Sequence, residues 1–260
     1  MASMATDLNA PLRSPLRRAV AAEVIKLRSA RSLRWTFVAF ATLTPVMAVF
    51  VGLTGSLQPD DTVMGGSLTA APMAQLVAAA FGALVMTGEY STGTIRPTFT
   101  ALPCRGTVLV AKATVVAVPV FAAGLVSALA GVGIGAVLLA GDGYATGDPF
   151  PALVGVAASL AALAVLGLAV GALLRHSAGA IAAIAGVVLL PALVAPVFGD
   201  LQRWIAGASP TSALEKMTQT SDAAPELVGS LGAWPSLAVV VVYTAAGVAA
   251  AATMLRRGDA

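Results

Sequence analysis

Six long apolar segments without any Asp, Glu, Lys, Arg or His constrain this chain more than any other feature of its sequence. The six segments cover roughly residues 35–57, 68–88, 113–140, 151–174, 178–198 and 235–255. A helix needs about 20 residues to cross about 30 Å of hydrocarbon, and each segment reaches that length. Only 10% of the 260 residues are charged, whereas soluble domains carry about 25%. The sequence therefore predicts an all-α membrane protein with six transmembrane helices.

The charged residues outside these segments predict how the helices are oriented. With the N-terminus inside, thirteen of the fifteen Lys and Arg residues fall on the inner side, and only Arg203 and Lys216 fall outside. Most acidic residues show the opposite distribution. The positive-inside rule then places both termini in the cytoplasm. The inner segments in this arrangement are 1–34, 89–112, 175–177 and 256–260.

The N-terminal region precedes the first apolar segment and is strongly basic. Its prolines predict a disordered tail over residues 1–15, followed by one transmembrane domain over 16–260. An apolar stripe suggests a basic helix that lies on an anionic membrane surface. The alternative is a solvated basic tail that only sets the topology. The stripe consists of Leu16, Val20, Val24 and Leu27.

A polar, hydroxyl-rich stretch over residues 89–105 lies between the second and third apolar segments. Glu89 follows the second segment directly, and a carboxylate at the C-terminal end of a helix opposes the helix dipole. We therefore expect a cationic or N–H partner nearby, and Glu89 could pair with Arg96, with an N-terminal basic residue or with another protein. Thr94 can cap a short helix that starts at Ile95, and Gly93 can supply the turn before it.

The chain has no recognisable means of powering transport by itself. A phosphate-binding loop needs a Gly-Lys pair followed by Ser or Thr, and no lysine in the chain follows a glycine. Ion-driven carriers generally keep ionisable residues within their spans, and the six segments have none. The single Cys104 and the single histidine argue against a disulfide or a metal site. We predict no catalytic residue, no metal and no cofactor.

The pattern Glu-x-x-x-Gly-Thr followed by Pro-x-Arg resembles the cytosolic loop after the second span of type 2 ABC exporter permeases. Its members are Glu89, Gly93, Thr94, Pro103 and Arg105. The surrounding Glu-Tyr-Ser-Thr-Gly-Thr-Ile-Arg-Pro is especially similar to actinobacterial members of that family.

This resemblance implies a fold, partners and roles for individual residues. The loop would form a coupling helix that docks on a separate cytosolic ABC ATPase subunit. A second permease subunit, identical or similar, would complete the pathway in a bacterial plasma membrane, in contact with membrane lipid and without nucleic acid. The protein itself would not be an enzyme. The implied ATPase-coupling residues are Glu89, Tyr90, Gly93, Thr94, Arg96 and Arg105.

The sequence also supports expectations about the outer loop 199–234 and about the substrate. Residues from Ser209 to Met217 are typical of a capped short helix, and in the resembled family re-entrant helices lie between the last two spans. An ordinary loop with one surface helix is the alternative. Spans this apolar suit a hydrophobic or amphipathic substrate. The competing function is a non-transporting membrane anchor that recruits a cytosolic partner.

Overall fold

The computed structural model describes residues 15–57, 60–101, 105–140 and 143–257, and this part of the chain is almost entirely helical. The predictions for the 1–14 tail, Pro103 and Cys104 lie outside the described residues. The α-helices are α1 Pro15–Ser29, α2 Arg31–Thr54, α3 Val63–Ser67, α4 Ala71–Ser91, α5 Ile95–Ala101, α6 Arg105–Leu138, α7 Val156–Leu174, α8 Ser177–Val194, α9 Gln202–Gly207, α10 Pro210–Thr218, α11 Pro225–Val228 and α12 Ala233–Arg257. A π-helical turn at Pro151–Gly155 precedes α7, and 3-10 turns occur at Ala195–Leu201 and Ser221–Ala223.

Six of the helices in the described ranges are long and apolar enough to cross a membrane, as the sequence predicts. They are α2, α4, α6, α7, α8 and α12. The candidate spans that contain α7, α8 and α12 also include adjacent helical turns and cover Pro151–Leu174, Ser177–Gly199 and Pro225–Arg257. Two of these helices extend well beyond the apolar segments of the sequence. The second helix continues to Ser91, and the third begins at Arg105 rather than at 113. As a result, Glu89 and Lys112 lie within long helices instead of in the loop between them.

Helices α4 and α7 form the centre of the bundle and are the most buried of the six. Their backbones approach so closely that a Cβ at Gly82 would overlap the carbonyl oxygen of Ala164. A Cβ at Gly167 would likewise overlap the carbonyl oxygen of Ala79. Small residues permit this contact. The Gly167–Gly171 pair therefore serves packing within one chain.

The N-terminal helix α1 packs mainly on α6. Its buried face is turned by about one position from the predicted stripe: Leu16 is exposed, whereas Ala19 and Glu23 are buried. Glu23 is not a member of the predicted stripe, and a lone carboxylate is costly to bury. Its burial requires a partner that the stripe itself does not reveal.

Two connections between helices have a well-defined local geometry, and the second is the cap that the sequence predicts. Only Arg175 and His176 separate α7 from α8, and Arg175 adopts a left-handed conformation with φ of 55°. Between α8 and α12, α10 begins after Ser209, whose side chain accepts a hydrogen bond from the Ser212 N–H at 3.0 Å. That cap satisfies one of the free N–H groups in the first helical turn.

Candidate functional site

A buried cluster of four charged side chains lies where α1, α4 and α6 meet. Glu23 and Lys26 are three residues apart on α1 and therefore share one face of that helix. Glu89 lies in the last turn of α4, and Lys112 lies two turns into α6. The cluster contains two carboxylates and two ammonium groups, so its formal charges cancel.

Each ammonium group of the cluster bridges both carboxylates. Lys112 Nζ lies 2.6 Å from Glu23 Oε2 and 2.7 Å from Glu89 Oε1. Lys26 Nζ lies 2.9 Å from Glu23 Oε1 and 2.7 Å from Glu89 Oε1. Charges therefore alternate around a closed ring. This arrangement gives each buried charge two opposite neighbours, which offsets the cost of removing it from water.

The burial of the four side chains is uneven. Lys112 is 1% exposed, Glu23 is 4% exposed and Glu89 is 6% exposed. The side chain of Lys26 is 38% exposed and lies on the side of the ring toward solvent. Burial lowers the pKa of Lys26, but hydrogen bonds to Glu89 and Glu23 and the charges of both carboxylates outweigh burial and raise the pKa above its ordinary value. Lys26 therefore remains protonated at neutral pH.

The short helix α5 is connected to this cluster through one hydroxyl group. Lys26 Nζ donates a hydrogen bond of 3.0 Å to Thr98 Oγ1, and Thr98 lies in the middle of α5. Before α5, Gly93 has a φ of 69°, a conformation in which a residue with a Cβ is strained. The turn at Gly93 brings α5 back toward α1. The cluster thus joins four helices: α1, α4, α5 and α6.

One oxygen of Glu89 is unused by this ring. Glu89 Oε2 is buried and accepts no hydrogen bond from any described residue. A cavity of about 440 Å³ adjoins the ring and is lined in part by the four charged side chains. A buried carboxylate oxygen without a donor is costly. Glu89 Oε2 therefore keeps the capacity to accept a further hydrogen bond.

The remaining predicted site residues are dispersed around the cluster. Tyr90 is half-buried, and the guanidinium carbon of Arg175 lies 5.6 Å from the centre of its ring. Thr94 is exposed, its Oγ1 lying 2.9 Å from Thr92 Oγ1.

Arg105 Nη1 donates a hydrogen bond of 2.6 Å to the carbonyl oxygen of Leu255, so this arginine holds α6 against α12. The side chain of Arg96 lies outside the described part of the chain.

Sequence reasoning correctly predicted that Glu89 needs a cation, and Lys26 is the N-terminal basic residue that was one of the three candidates. Glu23 and Lys112 were missed. Lys112 borders an apolar segment, so the sequence analysis assigned it to the loop. Its spacing of seven residues from Arg105 was the available signal, because that spacing places both residues on one face of a helix. Across the described residues, no group of three His, Cys, Asp or Glu side chains could hold a metal ion.

The chain matches no protein-family model and no curated protein. Functional assignment therefore rests on the residues themselves.

Proposed function

We propose that this protein is the transmembrane permease subunit of an ATP-binding cassette exporter. In this proposal a separate cytosolic ATPase supplies the energy, and a second permease subunit, identical or similar, completes the pathway. The substrate is hydrophobic or amphipathic. The protein lies in a bacterial plasma membrane with both termini in the cytoplasm.

The observation that carries the proposal is the link from α5 through Thr98 to the buried ring of charges. A helix that couples an ATPase to transport must be connected firmly to the membrane-spanning helices, so that they move when it moves. Helices α1, α4 and α6 share four ion pairs, all shorter than 3.0 Å. Helix α5 joins them through the 3.0 Å hydrogen bond from Lys26 to Thr98. Movement of α5 would therefore be transmitted to α4 and α6. The Glu-x-x-x-Gly-Thr pattern over the same residues supports this role.

The proposal divides the candidate residues into two groups. Gly93 and Thr94 are exposed at the start of α5 and would face the ATPase. Glu89 is buried within the ring, and Arg105 holds the end of α12. These two residues would not contact the ATPase but would hold the coupling helix in place within the bundle. Arg96 belongs to α5 and would contribute to the ATPase contact.

Capture of the complex from native membranes, with a measurement of ATP hydrolysis, tests this function. The full-length protein should retain a polypeptide with a phosphate-binding loop and show vanadate-sensitive ATP hydrolysis. Thr94→Lys places a long cation on an exposed position and should lower this retained hydrolysis about ten-fold, which corresponds to about 1.4 kcal/mol of binding free energy.

The matched control is Thr253→Lys, which makes the same substitution at an exposed threonine of α12 near the same end of the bundle. This control should retain the ATPase as the parent does, and both variants should unfold at the same temperature as the parent. Equal retention by both variants would exclude docking at α5. Absence of any ATPase would instead favour the membrane-anchor alternative.

A further inference from the structure

A groove of about 860 Å³ lies at the end of the bundle where α6 begins and α12 ends. Its walls are mostly apolar and come from α6 and α12, with Leu16 of α1 at one edge. Leu109 and Val110 line the α6 side, and Val248 lines the α12 side. Because both helices are candidate spans, this groove faces the hydrocarbon region near one membrane surface.

Two arginines close the polar end of the groove, and none of the described residues that line it is acidic. Arg105 is held in place by its hydrogen bond to the carbonyl oxygen of Leu255. The Nη2 atom of Arg256 lies 3.7 Å from the position that a Cβ of Gly106 would occupy. Gly106 therefore lies directly beside the guanidinium group of Arg256.

The first turn of α6 adds to the positive potential at this end. The helix has 34 residues and begins at Arg105, so Arg105, Gly106 and Thr107 lie in its first turn. The N-terminus of a helix carries a partial positive charge of about half an elementary charge. Phosphate groups are commonly bound by such a helix end together with arginine.

We propose that this groove binds one anionic phospholipid. The lipid phosphate lies between Arg105 and Arg256, and an acyl chain extends along Leu109, Val110 and Val248. Basic pockets between membrane-spanning helices are suited to acidic headgroups, and the apolar walls match an acyl chain. The inference depends on the six helices crossing a membrane and does not depend on the exporter function.

Native mass spectrometry of the full-length protein tests the site with phosphatidylglycerol and phosphatidylcholine as probes. The parent should retain one phosphatidylglycerol in preference to phosphatidylcholine. Arg256→Gln should lower the affinity for phosphatidylglycerol about five-fold, the effect of removing one basic group near a lipid surface. Arg256→Lys should restore part of it. Arg257→Gln is the matched control, because Arg257 is the next residue of α12 and does not line the groove.

A second variant distinguishes a lipid from a soluble phosphate. Ala252→Phe fills the apolar part of the groove without changing its charge, so phosphatidylglycerol binding should fall. Glycerol phosphate, which has no acyl chain, should fail to displace the lipid from the parent. Equal losses in Arg256→Gln and Arg257→Gln would overturn the site in favour of general surface attraction. Equal retention of both lipids, or no effect of Ala252→Phe, would overturn it as well.

Discussion

Replacing Lys112 by methionine tests the ion cluster most directly. Lys112 is 1% exposed, and its ammonium group contacts Glu23 at 2.6 Å and Glu89 at 2.7 Å. Methionine is unbranched and adaptable, so the change removes the cation without leaving a large void. The cluster would keep two carboxylates and only one ammonium group, on Lys26. One negative charge would then be buried without compensation.

The size of the effect follows from this imbalance. Removing one partner of a buried ion pair typically lowers the free energy of unfolding by about 3–5 kcal/mol. Because Lys26 still contacts both carboxylates, we expect Lys112→Met to cost about 3 kcal/mol, at the lower end of that range. Lys26→Met leaves the same charge imbalance, but Lys26 is the partly exposed member of the ring. Water can therefore reach the two carboxylates from that side, and we expect a smaller cost of about 1 kcal/mol.

A double-mutant cycle separates the loss of charge balance from a loss of packing. Lys112→Met combined with Glu89→Gln leaves the neutral pair of Glu23 and Lys26. The double variant should therefore be more stable than the sum of the two single effects predicts, by about 1–3 kcal/mol. Unfolding by SDS in mixed micelles measures these free energies. The reasoning is refuted if Lys112→Met costs no more than Lys26→Met, or if the two single effects simply add.

Two further predictions concern helix packing and pH. Gly82→Ala should lower the free energy of unfolding by about 1–3 kcal/mol, because its Cβ would overlap the carbonyl oxygen of Ala164. Gly133→Ala is the control and should not lower it, because no atom lies within 4 Å of its Cβ. Equal melting temperatures of the two variants in detergent would contradict this prediction. The pKa of Lys26 is raised by its carboxylate partners above the ordinary 10.5, so its stabilising contribution is complete below pH 10.5 and is lost as pH rises through the folded-state pKa. Lys26→Met should therefore show a smaller fall in melting temperature above pH 10.5 than the parent does, and identical alkaline profiles would argue against it.

Much of the architecture could be predicted because it depends on local sequence. Segment length and apolarity predict six helices, since each span must satisfy its own backbone hydrogen bonds in a membrane. The Ser209 cap and the two-residue connection before α8 follow from short patterns. The need for a cation at Glu89 follows from its place at a helix end. None of these predictions requires knowledge of which helices are neighbours.

The composition of the ion cluster could not be predicted in the same way. Glu23 and Lys112 are 89 residues apart, and each looks like a surface charge in its own segment. Their pairing depends on α1 lying across α6, which is a tertiary contact. The buried face of α1 differs from the predicted stripe for the same reason. A hydrophobic pattern treats Glu23 as solvent-facing, whereas its ion pairs allow it to be buried.

The close contact between α4 and α7 has a consequence for synthesis of the chain. These helices are neighbours in space, yet roughly 80 residues separate Ser91 from Leu174. At about 5–20 residues per second, α4 emerges from the ribosome on the order of 4–16 s before α7 is complete. During that interval the surface of α4 around Gly82 cannot make its contact with the backbone of α7. Lipid or the insertion machinery would cover this surface until α7 arrives, so the central α4–α7 contact of the bundle can form only after α7 has been translated.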